Sequence, residues 1–220
     1  MTADPDAVSS EPPAPAPPSL PVGKVVLALA IQAAIMVAVG YGLWVWSGRA
    51  GAGFVDWSGS QALVGLALGA GLVALAWTLF RGLPTLGERL VRMQARTYGF
   101  IGGQLGMPAI AFISLCAGVG EEALFRGGLQ TFLGDYVGAP AAIALSSAAF
   151  AAIHLARPVI TVMLFLIGVL FGTVYWQTGS LLAVMIGHAL YDVWALRYLL
   201  QEFIRLGLVG EPLVKPAPEG

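Results

Sequence analysis

Residues 118–128 read GVGEEALFRGG and place Glu121, Glu122 and Arg126 inside an apolar stretch. No residue from Thr97 to Gly120 carries a charge, and after Arg126 only Asp135 does before Arg157. The sequence has two histidines, His154 and His188, both in apolar segments, and Asp192 follows His188 by four residues. Ionisable groups are costly in lipid, face the interior of helix bundles and mark function. A carboxylate, two imidazoles and a further carboxylate can activate a water and stabilise an oxyanion, or can ligate a divalent metal such as zinc.

Helical spacing divides the set. Glu122 and Arg126 stand at i,i+4 and can pair, which would make the segment tolerable in lipid. Glu121 projects about 100° away around the helix and is left free for other work. His188 and Asp192, also at i,i+4, share one face. The chain has no HExxH, the pattern that puts two zinc-binding histidines and a glutamate base on one helix.

The elements that must position these residues are membrane helices. The 220-residue chain is 58% hydrophobic and 10% charged, against about 25% charged in an ordinary soluble domain. A net charge of -1 gives no indication of a nucleic-acid partner. The lone cysteine, Cys116, excludes an intrachain disulfide and reads as a small core residue. A spanning helix takes about 20 apolar residues. Segments Val25–Trp46, Gln61–Phe80, Pro108–Phe132, Pro140–Leu155, Pro158–Gln177 and Ser180–Leu200 predict about six spans in an all-α polytopic bundle.

Residues 1–23 are rich in Pro, Ala and Ser and predict a disordered tail, without the positive n-region of a signal peptide. Residues 24–105 would hold two spans and a basic interfacial segment, 106–200 the catalytic membrane domain, and 201–220 a second tail. Arg81, Arg89, Arg92 and Arg96 crowd one loop, and basic loops stay cytoplasmic. Lys24, Arg157, Arg205 and Lys215 fall on the same side in a six-span chain, and Arg49 is the exception. Both termini are therefore expected in the cytoplasm of a bacterial inner membrane. Gly65 and Gly69, like Gly168 and Gly172, are spaced for close helix contact within the chain.

The order EExxxR, FxxxH, HxxxN/D in successive apolar helices resembles the CAAX protease and bacteriocin-processing (CPBP, or Abi) family of Rce1-like intramembrane endopeptidases. Glu121, Glu122, Arg126 and Gly127, then Phe150 and His154, then His188 and Asp192, carry the resemblance, which covers about Pro108–Leu200. It implies that Glu121 and His154 activate the attacking water, and that His188 with the residue four later stabilises the oxyanion. The family pattern commonly has asparagine where this chain has Asp192, and an ionised aspartate cannot donate a hydrogen bond. Asp192 is then protonated, or orients His188, or helps bind a metal, for which Glu121, His154, His188 and Asp192 are the candidate ligands. The implied substrates are membrane-associated, CAAX-like or leader peptides. The competing readings are a scaffold or bacteriocin-immunity protein of the same fold, and a proton- or metal-coupled carrier.

Overall fold

The computed structural model describes residues 22–98 and 105–208, excepting the side chains of 96–98. Residues 1–21 of the expected N-terminal tail, Lys215 and the side chain of Arg96 lie outside that description. Among the described residues every regular element is helical. Helix α1 spans Val22–Trp46, and after a short 3-10 turn at Gly51–Gly53, α2 spans Gly59–Gly82 and α3 Pro84–Tyr98. Helix α4 runs unbroken over Met107–Val137, and α5 (Ala139–Ile153), α6 (Pro158–Thr178) and α7 (Leu181–Arg205) complete the bundle.

Each expected span corresponds to one of these helices, with α3 forming the interfacial segment. Four of them (α1, α2, α4 and α6) are long and apolar enough to cross a membrane. Helix α5 is apolar but has only 15 residues. Helix α7 has the length and carries Asp192, Arg197, Glu202 and Arg205. The second tail starts later than residue 201, because α7 continues to Arg205 with Phe203 fully buried.

Proline, serine and glycine mark the boundaries. Prolines 84, 108, 140 and 158 each lie within the first two residues of a helix, where the missing N–H costs nothing. Ser58 and Ser180 cap α2 and α7 by accepting from the backbone N–H of Gln61 and Ala183. Gly179 ends α6 in the left-handed conformation (φ 63°), which glycine adopts without steric cost.

Lipid is as apolar as leucine, so these helices gain little by burying side chains and must gain by close packing. Small residues let them do so. A Cβ on Gly128 of α4 would lie 2.7 Å from the Cα of Gly40 on α1. Gly65 and Gly69 admit the backbone of α7 at Ala183 and Gly187, and Gly168 and Gly172 admit Ser147 and Ile143 of α5. Both expected glycine pairs are thus used inside the chain. Exposed Trp46, Trp57, Tyr136 and Trp176 gather at the bundle end opposite α3, as an interfacial belt would.

Helix α4 changes pitch where the chemistry lies. Met107–Glu122 and Thr131–Val137 are α-helical, and Ala123–Gln130 between them is a π-helix. Side-chain donors reach its displaced carbonyls: Ser146 Oγ donates to Phe125 O and Thr131 Oγ1 to Arg126 O, both at 2.9 Å. Such π segments are rare and concentrate at functional sites.

Candidate active site

Four helices bring the chemistry together. The last turn of Met107–Glu122 supplies Glu121 and Glu122, and the π segment supplies Arg126. His154 caps the C-terminus of α5, while His188 and Asp192 lie one turn apart on α7. Helix α6 contributes no ionisable group; it offers the Phe171 ring and the carbonyl of Gly168.

Glu122 and Arg126 are fully buried, with Arg126 Nε 3.2 Å from Glu122 Oε2. The charges are adjacent, yet neither atom is aligned for a hydrogen bond, and Arg126 Nη1 also lacks a partner among the described residues. Arg126 Nη2 donates to Gly168 O at 3.0 Å. Its guanidinium lies 4.9 Å from the Phe150 ring centroid and 5.8 Å from that of Phe171. Two aromatic faces thus supplement the carboxylate in holding the cation.

Glu122 has a second partner that i,i+4 spacing could not reveal. Its Oε1 lies 2.7 Å from His188 Nδ1, so one carboxylate serves Arg126 through one oxygen and the imidazole through the other. An ionised carboxylate can only accept, which puts a proton on Nδ1 and turns Nε2 toward the site. His188 Nε2 stands 3.4 Å from Asp192 Oδ2 and 3.8 Å from Glu121 Oε2. The orienting hydrogen bond expected of Asp192 therefore has its counterpart in Glu122, and Asp192 faces the other ring nitrogen. Phe171 stacks on the imidazole at 5.2 Å and 17°.

His154 is fixed differently. Its Nδ1 is 2.7 Å from the carbonyl of Phe150, and a carbonyl only accepts, so Nδ1 carries the proton and Nε2 keeps its lone pair. The Phe150 ring sits 4.8 Å from the His154 ring and 6.4 Å from that of His188, so both imidazoles flank one aromatic. Leu155, the residue after His154, has φ 46°, a left-handed conformation that costs a branched side chain about 1–2 kcal/mol. Its side chain is 92% exposed. Strain of this kind gathers at functional sites.

Beside Asp192 a cavity of about 260 Å³ opens between α2, α3, α4, α6 and α7. Phe80, Met163, Tyr191, Trp194 and Tyr198 line much of it, with Trp194 and Tyr198 stacked 5.3 Å apart. Among the described residues no three His, Cys, Asp or Glu side chains are grouped so as to hold a metal ion. His188 Nδ1 is committed to Glu122, which leaves Nε2 as the ring nitrogen that could meet a water, a substrate or a metal.

The fold and this cluster define the class: an all-α, polytopic integral membrane protein with a buried carboxylate–imidazole site. Comparison with known proteins narrows it. Residues 103–194, which include every residue of the cluster, match the family described as Type II CAAX prenyl endopeptidase Rce1-like. Uncharacterized protein YpbD of Bacillus subtilis (strain 168) is 35% identical over 89 residues, 39% of this chain and 43% of that protein. The chain thus spans less than half the length of that relative. No solved structure matches.

Phe171 escaped the sequence reading, and Gly168 was expected only to permit helix contact, not to offer its carbonyl to Arg126. An aromatic and a glycine in an apolar run carry no polar signal, and their roles depend on where α6 packs.

Proposed function

We propose that this protein is an intramembrane endopeptidase that hydrolyses peptide bonds of membrane-associated substrates with a water activated by Glu121 and His154. The observation that carries the reading is the convergence of Glu121 and Asp192 on His188 Nε2, with Nδ1 held by buried Glu122. Glu121 is the carboxylate of the α4 pair left outside the Arg126 ion pair, and His154 keeps an unprotonated Nε2. The water oxygen bonds to the scissile carbonyl carbon while its proton passes to Glu121 or His154. The C–N bond then breaks, the amine leaves with a proton from the same groups, and the products are a carboxylate and an amine. His188 donates to the tetrahedral oxyanion from Nε2 when it carries both protons, with Glu122 holding its other end. Asp192, 3.4 Å from the same nitrogen, can accept that proton when no oxyanion is present. In this reading no step requires a metal.

The aromatic cavity beside Asp192 suits the apolar part of a CAAX-like or leader peptide. The domain division has residues 106–200 as the catalytic unit and the first two helices as its support. Arg157 lines one pocket with Arg89 and Arg92, which favours these arginines sharing the cytoplasmic face of a bacterial inner membrane with both termini.

Replacing Glu121 with Gln, or His154 with Ala, should lower peptide cleavage by about 10²–10⁴. The thermal midpoint in detergent should stay near wild type, because neither group belongs to the buried ion pair. Cleavage at the wild-type rate by both folded variants would end this assignment. Activity that survives exhaustive chelation would agree with the metal-free route; activity restored only by zinc would replace it.

A further inference from the structure

The strongest group of charges outside the site lies at the end of the bundle that carries α3. Helix α3 is amphipathic: Leu90 and Val91 are buried, Val91 against Ile110, Leu200 and Phe203, while Arg89 and Arg92 are exposed. It begins two residues after α2 ends, so it lies at the membrane boundary, where lipid phosphates sit. A pocket of about 380 Å³ opens there, lined by Thr85, Glu88, Arg89, Arg92 and Met93 of α3 and by Arg157 from the α5–α6 loop.

Three guanidinium groups from two separate elements surround this pocket. Arg92 is neutralised, since its Nε and Nη2 lie 3.0 and 2.8 Å from Glu88 Oε1. Arg89 and Arg157 form no ion pair among the described residues. Arg157 is also the N-cap of α6, whose first turn begins at Pro158, and a helix start adds partial positive charge to the same rim. Two unneutralised arginines across a concave surface match the planar, bidentate recognition of a phosphate.

We infer that Arg89 and Arg157 form a binding site for the phosphate of an anionic phospholipid headgroup, bridging α3 to the loop that follows α5. The position at the headgroup level commits the site to lipid rather than to free phosphate. Arg157 lies three residues after His154, so an occupied site ties that loop to α3. The inference does not depend on the peptidase reading, because binding alone tests it.

The test uses the purified full chain in a neutral detergent, with native mass spectrometry counting bound phosphatidylglycerol and phosphatidylcholine offered together. One phosphatidylglycerol should be retained about 25-fold more strongly than phosphatidylcholine, roughly fivefold for each arginine charge. Each lost arginine charge should weaken it roughly fivefold, and the Arg89→Gln, Arg157→Gln pair about 25-fold, close to the phosphatidylcholine level. Both side chains are exposed, so the variant should remain monodisperse. Glu88→Gln offers an independent gain: freeing Arg92 should strengthen phosphatidylglycerol binding. Equal retention of the two lipids, undiminished phosphatidylglycerol on the double variant, or displacement by inorganic phosphate at a concentration equal to the lipid's would each overturn the inference.

Discussion

Helices α3 and α4 each carry a Glu–Arg pair at i,i+4, and the two pairs do opposite things. Glu88 and Arg92 are 41% and 50% exposed and make two aligned hydrogen bonds of 2.8 and 3.0 Å. Glu122 and Arg126 are 0% exposed, 3.2 Å apart and unaligned. The better hydrogen bond is thus in the pair that matters less. In water each member of the α3 pair has an alternative partner, so the pair stabilises its helix by a few tenths of a kcal/mol. Inside the bundle water cannot stand in for either charge, and each makes the other tolerable. The exposed pair leaves its neighbours unaffected, while the buried carboxylate has an oxygen to spare for His188.

The sharpest way to break this contrast is to remove one partner from each pair. Glu122→Ala or Arg126→Ala leaves an uncompensated charge in the bundle and should cost about 3–5 kcal/mol, a large share of the roughly 5–15 kcal/mol by which folded domains are stable. Glu122→Gln should cost nearly as much, because the penalty belongs to the orphaned guanidinium and not to the lost side-chain volume. The same truncations at Glu88 and Arg92 should fall within about 0.5 kcal/mol of wild type. Denaturant unfolding in a common detergent measures all of them. Equal losses at the two sites would mean that burial is not what separates them.

A paired substitution sharpens the comparison further. Glu122→Gln combined with Arg126→Met removes both charges and should recover most of the stability lost by either change alone, since neutralised buried pairs are often no less stable than charged ones. Activity should not return in full. The Gln carbonyl can still accept from His188 Nδ1, but without a full negative charge, so the rate should remain about tenfold below wild type. That is a smaller loss than the 10²–10⁴ expected at Glu121. A double variant as inactive as Glu121→Gln would make Glu122 more than a positioning residue.

The contrast also marks what the sequence could reveal. Apolar length located every helix except α3, which its arginines marked, because about 20 residues of lipid-compatible chain is a strong constraint. Sparse charge located Glu121, Glu122, Arg126, His154, His188 and Asp192, since an ionisable residue is conspicuous in an apolar run. The Glu122–Arg126 contact followed from spacing within one helix. The Glu122–His188 contact did not, because 66 residues separate them and only the packing of α7 against α4 brings them together. The π segment was equally hidden: it depends on Ser146 of α5 reaching across to Phe125 O. Leu155 gave no signal either, since a left-handed leucine is what local preference argues against.

A third ion pair, intermediate in kind, gives the smallest effects and the last test. Arg49 and Asp135 close the opposite end of the bundle through two hydrogen bonds of 2.7 and 2.8 Å, with side chains 33% and 40% exposed. They join the loop after α1 to the end of α4 across 86 residues, so they constrain tertiary structure where Glu88–Arg92 constrains a single helix. Bidentate geometry raises the strength of such a pair, and water lowers it. Arg49→Gln should therefore reduce stability less than any change at Glu122 and more than Glu88→Gln. Salt supplies the control, because mobile ions screen exposed pairs and leave buried ones largely untouched. Raising ionic strength from 0.05 to 0.5 M (about a threefold shorter screening length) should erase the Arg49 and Glu88 effects while the Glu122 effect persists. Salt-independent losses at Arg49 would mean that its contribution lies in packing over Trp44, whose ring centroid is 5.6 Å away, and not in its charge.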